Sequence, residues 1–255
     1  MKIALTFDIE RDIPNLLDTY SGVKIGLIKI LEILDSFKIK GTFFCTGTVV
    51  KHFPENIRLI EQKGHEIACH GLNHERLTYL NLNDCQELIF QNKKLIEETC
   101  TNTNILGFRA PYLKPPKFLF EILENLGFRY DSSISSPKEL KHYQTRKSNI
   151  QEFHPRNYST FFRLPLGNNF VRRATFNKDL AILFFHPWEA VDIKDLITTQ
   201  ISKFKKFKNI MFRPERWVNT GDLFLRKLKN LIKESFSRAA EFIMLKELVI
   251  QNLES

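Results

Sequence analysis

The chain has few cysteines, and their spacing excludes two classes of protein. Four cysteines occur in 255 residues, far apart and without a CxxC pair. Disulfide-stapled small domains and cysteine-based zinc sites both need more closely grouped thiols. We therefore expect reduced, mostly buried thiols at Cys45, Cys69, Cys85 and Cys100.

Long apolar runs are also missing. The sequence has no stretch of about 18 apolar residues, so it predicts no membrane-spanning helix. The opening residues, MKIALTFDIE, have neither the extended apolar region nor the cleavage site of a signal peptide. The expected location is therefore the cytoplasm.

Negative charge is the scarcer sign. With 38 basic and 29 acidic residues, the formal net charge is +9, and basic residues cluster at 203–208, 212–217 and 226–235. Such clusters most often form a solvated face, although they can also contact an anionic membrane surface. Because no nucleic-acid-binding motif accompanies them, we expect no nucleic-acid partner.

Segments typical of strands and helices alternate along the chain. Strands are predicted at 2–7, 39–47, 65–69, 105–109, 128–133, 161–166 and 181–187, with a closing segment at 241–248. Helices are predicted at 21–37, 54–63, 83–100, 115–127, about 192–206 and about 222–238. The polar stretch 134–160 is predicted to be a loop insertion.

This alternation indicates an α/β fold with parallel strands and crossover helices. About seven such units predict a distorted (β/α) barrel of about seven parallel strands with surrounding helices. We expect a single domain over residues 1–255. In such barrels the chemistry lies at the carboxyl ends of the strands.

Polar residues follow these predicted strands at their carboxyl ends. They are Asp8, Glu10, His70, His74, Arg109, Tyr112, Asp131, Ser132, Ser133 and His186. Such groups are costly to bury unless they are paired or bound to a metal. Barrel geometry would bring them to one mouth, which makes this the candidate site.

The stretch HEIACHGLNHERL supplies a candidate metal pair, His70 and His74. Two imidazoles and one carboxylate leave an open position for water, as in a catalytic zinc site. By itself HxxxH is equally compatible with a capping or surface pair. Asp8 and Glu10 are two apart, so on a strand they face the same way. One could bind the metal and the other serve as a base; a helix cap or salt bridge is the alternative.

The motifs TFDIE, HGLNH, FRAPY, YDSS and ILFFHP occur in this order. Together they resemble the successive motifs of polysaccharide deacetylases, the NodB-like domain of carbohydrate esterase family 4. The resemblance runs from about residue 2 to about residue 250. It implies a metal-dependent hydrolase that removes an N-acetyl group from an acetamido sugar or polysaccharide.

The resemblance also implies roles for individual residues. Glu10, His70 and His74 resemble the metal ligands, which implies one divalent ion. We expect zinc, with cobalt, nickel or manganese as alternatives. Asp8 resembles the catalytic base, and Arg109 resembles the arginine that holds this base.

The remaining implied roles concern the acid and the oxyanion. His186 resembles the acid that protonates the leaving amine, and Asp131 resembles the aspartate that tunes this acid. The backbone amide of Tyr112 resembles a donor to the oxyanion.

The sequence departs from the family pattern at three positions. Ile9 separates Asp8 from Glu10, whereas the common first motif has two adjacent aspartates. Gly71 replaces the usual serine or threonine after the first metal histidine. The tryptophan expected in the fourth motif is absent. Trp188 either replaces it in the sugar groove or is a core aromatic.

Other functions remain open from sequence alone. The same groups could hydrolyse a formyl amide on a lipid- or nucleotide-linked aminosugar, or a ureide, because a fold does not fix its substrate. A non-catalytic binding protein is the third hypothesis. The expected cytoplasmic location and the basic face of 222–238 favour an anionic substrate, for example a lipid-linked acetamido sugar, and peripheral membrane contact.

Overall fold

The computed structural model describes residues 1–13, 17–141, 143, 148–156, 159–164, 167–200 and 217–253. Its strands form one parallel sheet. They are β1 (Lys2–Ile9), β2 (Thr42–Cys45), β3 (Glu66–Cys69), β4 (Gly107–Phe108), β5 (Tyr130–Asp131), β6 (Gln151–Glu152), β7 (Leu180–Phe185) and β8 (Glu241–Phe242).

The sheet curls into a barrel, as its strand order and closing contact show. Along the sheet the order is β6-β5-β4-β3-β2-β1-β7, and β8 pairs with the first two residues of β1. A single parallel bridge between Arg156, just after β6, and Leu183 on β7 closes the ring. The predicted distorted barrel of parallel strands is confirmed.

Helices surround the sheet. They are α1 (Leu27–Ser36), α2 (Gly47–His52), α3 (Pro54–Gln62), α4 (Leu82–Thr99), α5 (Leu119–Asn125), α6 (Pro137–Leu140), α7 (Ser159–Arg163), α8 (Gly167–Phe176), α9 (Ile193–Gln200), α10 (Asp222–Ser237) and α11 (Leu245–Leu253). No helix of the part just described is both long and apolar enough to cross a membrane.

Strand alternation divides the apolar residues into two cores. On β1 the odd-numbered Ile3, Leu5 and Phe7 belong to the core shared with the surrounding helices. Ala4, on the other face, belongs to a second core within the barrel. Because the side-chain period of a strand is two, Asp8 and Glu10 continue the inward face beyond Ala4.

The amino ends of the strands are closed by α11. Its Leu245, Leu248 and Val249 belong to the core within the barrel. Glu66, at the start of β3, is 2% exposed and accepts hydrogen bonds from Thr42 Oγ1 (2.7 Å), Tyr130 Oη (2.8 Å) and the Lys246 amide (3.0 Å). Both carboxylate oxygens are thus satisfied, one of them by the first turn of α11.

Two segments differ from the sequence predictions. The predicted strand 161–166 contains the end of helix α7, with Phe162 and Arg163 both buried against the barrel. The predicted loop 134–160 contributes α6 and β6, and β6 pairs with β5 through Gln151 and Glu152. This strand has two polar residues, so it has no apolar alternation to reveal it.

Smaller differences lie at element ends. The helix predicted at 83–100 begins one residue earlier, and Asn81 caps it by accepting a hydrogen bond from the Asp84 amide at 2.9 Å. The closing segment 241–248 is a strand only at Glu241–Phe242 and then becomes helix α11. The predicted helix 192–206 is observed as α9 up to residue 200, and 201–206 lie outside the described residues.

Helix α10 shows how the predicted amphipathic face is used. Leu225, Leu228 and Ile232 are buried against the barrel, whereas Phe236 is 47% exposed. Lys227 does not belong to the outer basic face, because its Nζ donates to carbonyl oxygens of residues 162–164. The predicted basic cluster at 203–208 and most of 212–217 lie outside the described residues.

Candidate active site

Polar side chains from four strand ends meet at the mouth of the barrel. Asp8 and Glu10 follow the inward face of β1 and are each 3% exposed. His70 follows β3, and Arg109 follows β4, both buried. His186 follows β7 and lies 3.5 Å from Glu10, measured between Nε2 and Oε1. The structure thus brings together the residues predicted at these strand ends.

Glu10, His70 and His74 form a cluster suited to a metal ion. One ligand atom from each lies within 4.8 Å of the other two. Glu10 Oε2 is 3.8 Å from His70 Nε2 and also contacts His74 Nε2. Among the described residues, this buried Oε2 has no hydrogen-bond donor. A buried carboxylate oxygen without a donor, facing two imidazole nitrogens, fits a divalent metal with one carboxylate and two histidine ligands.

The orientation of His70 supports the same assignment. Its Nδ1 lies 2.8 Å from the carbonyl oxygen of Arg109, so Nδ1 carries the proton and donates it. Nε2 is then left with a lone pair facing Glu10. A metal-ligating histidine commonly has its second nitrogen fixed in this way.

Asp8 is ionised and firmly held. Arg109 donates from Nη1 to Asp8 Oδ1 at 2.6 Å and to Thr6 Oγ1 at 3.0 Å. Its other nitrogens donate to Ser132, and its guanidinium lies 4.0 Å above the Phe44 ring. Burial opposes the charge, but the adjacent Arg109, with nearby imidazoles, holds the pKa of Asp8 below its usual value. A fixed, charged carboxylate next to the candidate metal ligands is suited to accept a proton.

His186 is paired with a carboxylate that the sequence analysis did not select. Glu189 Oε1 lies 3.1 Å from His186 Nδ1 and accepts the His186 backbone amide at 3.0 Å. Burial disfavours the imidazolium, but this hydrogen bond and the charges of Glu10, Glu189 and Asp8 raise the pKa of His186. An imidazole that keeps its proton is suited to act as an acid.

Asp131 is hydrogen-bonded to Ser133, two residues further along the chain. Its carboxylate accepts from Ser133, at 2.6 Å from Oγ and 3.2 Å from the amide. Burial raises the pKa of Asp131, and burial together with Asp131 raises that of Glu152. Among the described contacts, none joins Asp131 to His186, the histidine that it was expected to tune.

The two predicted aromatic positions are used differently. The ring centroids of Tyr112 and His74 are 4.4 Å apart. The Arg76 guanidinium carbon lies over the Tyr112 ring, 4.5 Å from its centroid. Trp188 is 3% exposed, belongs to a core with Ile193 and Ile197, and stacks on His186. Trp188 is therefore a core aromatic, because a groove residue would need an open face for the sugar.

The backbone around His74 is strained. His74, Tyr112 and Leu113 have φ values of 58°, 62° and 54°, in the left-handed region that side chains disfavour. Such conformations cost on the order of 1–3 kcal/mol each and concentrate at functional sites. The fold therefore holds this part of the mouth in place against local preference.

Gly71, where the family has a hydroxyl residue, is explained by its conformation. Its φ is +74°, and an added Cβ would lie 3.0 Å from Pro111 Cγ. The loop is held instead by Glu75, which accepts from the amides of Leu72 (3.1 Å) and Asn73 (2.6 Å). Glu75 thus stabilises the loop that leads to His74.

A cleft adjoins the candidate metal ligands. Its volume is about 230 Å³. It is lined by Arg11, Tyr20, Thr46, Thr48, Asn73 and His74. Apart from the tyrosine ring, these side chains offer hydroxyl, amide and cationic groups, which suits a polar ligand such as a sugar.

Sequence reasoning missed Glu189 and Arg163, which pair at 2.9 Å and are both buried. Glu189 had a usable signal, because HPWE places Pro and then Glu at the first and third positions of a helical turn. This is a capping pattern. Arg163 had none, since its partner lies 26 residues away in sequence.

Comparison with protein-family models gives one match. The polysaccharide deacetylase model matches residues 1–131, which is half of the chain and includes the first three motifs and the first two residues of the fourth. Peptidoglycan deacetylase-like protein FGM2 of Gibberella zeae is 34% identical over 135 residues, covering 51% of this chain and 40% of the fungal protein. The chain thus matches less than half the length of this relative.

Solved structures share the fold along nearly the whole chain. A candidate polysaccharide deacetylase from Mycobacterium smegmatis superposes with a TM-score of 0.72, covering 98% of this chain and 89% of the other, at 21% identity. The allantoinase PuuE superposes with a TM-score of 0.69, covering 97% and 88%, at 14% identity. At these identities the likeness establishes the barrel fold.

Proposed function

Because the chain belongs to the polysaccharide deacetylase family, we propose that it is a metal-dependent hydrolase that removes an N-acetyl group from an acetamido sugar. The observation that carries the proposal is the buried Glu10 Oε2. It lacks a donor among the described residues and faces His70 and His74. Beside it lie Asp8, whose pKa is lowered, and His186, whose pKa is raised.

The arrangement supports amide hydrolysis as follows. A divalent metal held by Glu10, His70 and His74 would supply a Lewis acid that polarises the acetamide carbonyl. Zinc is the expected ion, with cobalt, nickel and manganese as alternatives. Asp8 takes the proton of the attacking water while Arg109 keeps the carboxylate oriented.

The leaving amine needs a proton, because an amide nitrogen is a poor leaving group. His186 holds this proton at Nε2, the ring atom that faces Glu10. The amide of Tyr112 is proposed as an oxyanion donor. Since Asp8 must be ionised and His186 protonated, rate against pH should be bell-shaped.

The test is product release by metal-free protein reloaded with single metals. Acetate and formate are measured over a panel of acetamido and formamido sugars and a ureide. Metal-dependent acetate release supports the proposal. Formate release or ureide opening would assign the alternative hydrolase. Full metal binding with no turnover of any substrate in the panel would indicate a binding protein.

The finer substrate proposal is an anionic acetamido sugar in the cytoplasm, linked to a nucleotide or a lipid phosphate. Arg11 at the cleft and the exposed Arg226, Lys229 and Lys233 of α10 are the described groups that favour it. Such a face would also favour contact with an anionic membrane. Equal kinetics at low salt on a neutral chito-oligosaccharide and on a diphosphate-linked acetamido sugar would refute it.

A further inference from the structure

We propose that Glu189, held by Arg163, is a positioning residue that fixes the tautomer and the direction of the His186 ring. The inference rests on the proposed function, because it explains how the proposed acid is aimed. Both residues lie outside the set selected from sequence.

Two hydrogen bonds join Glu189 to His186. One carboxylate oxygen, Oε1, accepts the His186 backbone amide at 3.0 Å and lies 3.1 Å from Nδ1. A carboxylate can only accept, so the shared proton resides on Nδ1. Nε2 is then the nitrogen that faces Glu10, and it alone exchanges a proton with the substrate.

Glu189 is itself immobilised. Its second oxygen, Oε2, accepts from Arg163 Nε at 2.9 Å. Arg163 is 1% exposed and also donates from Nη1 to the Val218 carbonyl at 2.9 Å. The Glu189 carbonyl accepts the Gly221 amide at 2.8 Å. The Glu189 side chain is 0% exposed, so turning it away would break the hydrogen bond to a buried arginine.

The face of the imidazole is held as well as its edge. The Trp188 ring stacks on His186 at 5.2 Å between centroids and 25° between planes. The Arg163 guanidinium lies 5.3 Å from the Trp188 ring. Arg163 therefore supports His186 by two routes, through the carboxylate at the edge and through the indole at the face.

The substitution Glu189→Gln separates a positioning role from simple filling of space. If Glu189 only filled space, the substitution would leave the tautomer of His186 unchanged. Glu189→Gln leaves one acceptor oxygen for two fixed donors, Arg163 Nε and the His186 backbone amide. Because the hydrogen bond to the charged guanidinium is the stronger of the two, the oxygen should turn toward Arg163 and the NH₂ toward His186. An NH₂ facing Nδ1 favours the tautomer with the proton on Nε2. The substitution should therefore invert the tautomer while changing the side-chain volume little.

The experiment is histidine ¹⁵N NMR of zinc-loaded full-length protein at a pH where its imidazoles are neutral, with the His186 signals assigned by their loss in His186→Gln. In the unsubstituted protein His186 should be protonated on Nδ1, and in Glu189→Gln on Nε2. The variant should also lose about 10–100-fold in kcat, with KM and zinc content little changed. The double variant Arg163→Met/Glu189→Gln removes the competing donor and should restore the Nδ1 proton.

The matched control is Glu234→Gln, which alters a carboxylate paired with Arg172 and Arg238 on the outer helix α10. It should leave the His186 signals unchanged. An Nε2-protonated His186 in the unsubstituted protein, or an unaltered tautomer in Glu189→Gln, overturns the proposal. The spectra need no substrate, so a protein that hydrolyses nothing yet shows these tautomers refutes the proposed function and leaves the positioning role standing.

Discussion

Two glutamates lie buried at opposite ends of the same barrel. At the closed end, Glu66 has both oxygens occupied by donors from Thr42, Tyr130 and the first turn of α11. At the mouth, Glu10 Oε2 has no donor among the described residues and faces two imidazoles. The two carboxylates thus differ in their surroundings: Glu66 faces hydrogen-bond donors, whereas Glu10 faces two imidazoles, the environment that supports the proposed metal site.

The largest difference between the two ends should appear in turnover. Asp8→Asn keeps the oxygen that accepts from Arg109 but removes the proton acceptor, so we expect a fall of about 10²–10⁴-fold in kcat with the metal retained. Glu66→Gln, at the closed end, should leave kcat unchanged. Steady-state kinetics and metal analysis of both variants provide the check. A fully active Asp8→Asn enzyme would move the base to another group, with Glu10 the nearest candidate.

The next effect concerns metal binding at the mouth. His74→Ala removes one of three proposed ligands, so metal content and activity should fall together. Zinc at about 100 times its dissociation constant should stabilise the unsubstituted protein by roughly 2.7 kcal/mol, and the variant far less. Thermal unfolding with and without chelator measures this. Undiminished stoichiometry in His74→Ala would remove His74 from the site.

At the closed end, the expected effect is on folding and not on chemistry. Glu66→Ala leaves the Tyr130 hydroxyl and the Lys246 amide without their acceptor, and unsatisfied buried groups cost about 1–3 kcal/mol each. We expect a loss of about 3 kcal/mol in the free energy of unfolding by urea. Glu66→Gln should lose less. A Glu66→Ala protein of normal stability but low kcat would contradict the division between the two ends.

The smallest expected effect is an acid sensitivity of the closed end. His65 precedes β3 and accepts the Gly41 amide on Nδ1, and burial, with Lys40 and Lys63, lowers its pKa to about 4. Between that value and the ordinary 6.5 the unfolded chain binds more protons, so stability falls as pH drops through this window. Urea unfolding across this range should show a shallower dependence in His65→Gln, which keeps an acceptor without titrating.

The sequence predicted the barrel and most of its mouth for one physical reason. Long apolar strands such as β1 and β7 can be recognised from their composition, and the polar residues that follow them mark where each strand ends. Asp8, Glu10, His70 and His186 were found in this way, and the structure brings them together.

Features that depend on tertiary pairing were not predictable. Strand β6 consists of two polar residues that are a strand only because they pair with β5. The position of helix α7 depends on the burial of Phe162 and Arg163 against the barrel. The tuning role expected for Asp131 rests on the family resemblance and stays a prediction, whereas the carboxylate observed beside His186 is that of Glu189. A local pattern specifies where a strand ends, but it does not specify which carboxylate will reach an imidazole from another turn.

The closure of the barrel has a consequence for local unfolding. Six residue pairs join β1 to β7 and four join β1 to β2. Within the described part of the chain, two pairs join β5 to β6 and one bridge, at Arg156, joins the other edge to β7. Amide hydrogen exchange should therefore be slow on the wall that carries Glu10, His70 and His186, and fast along the seam at Arg156.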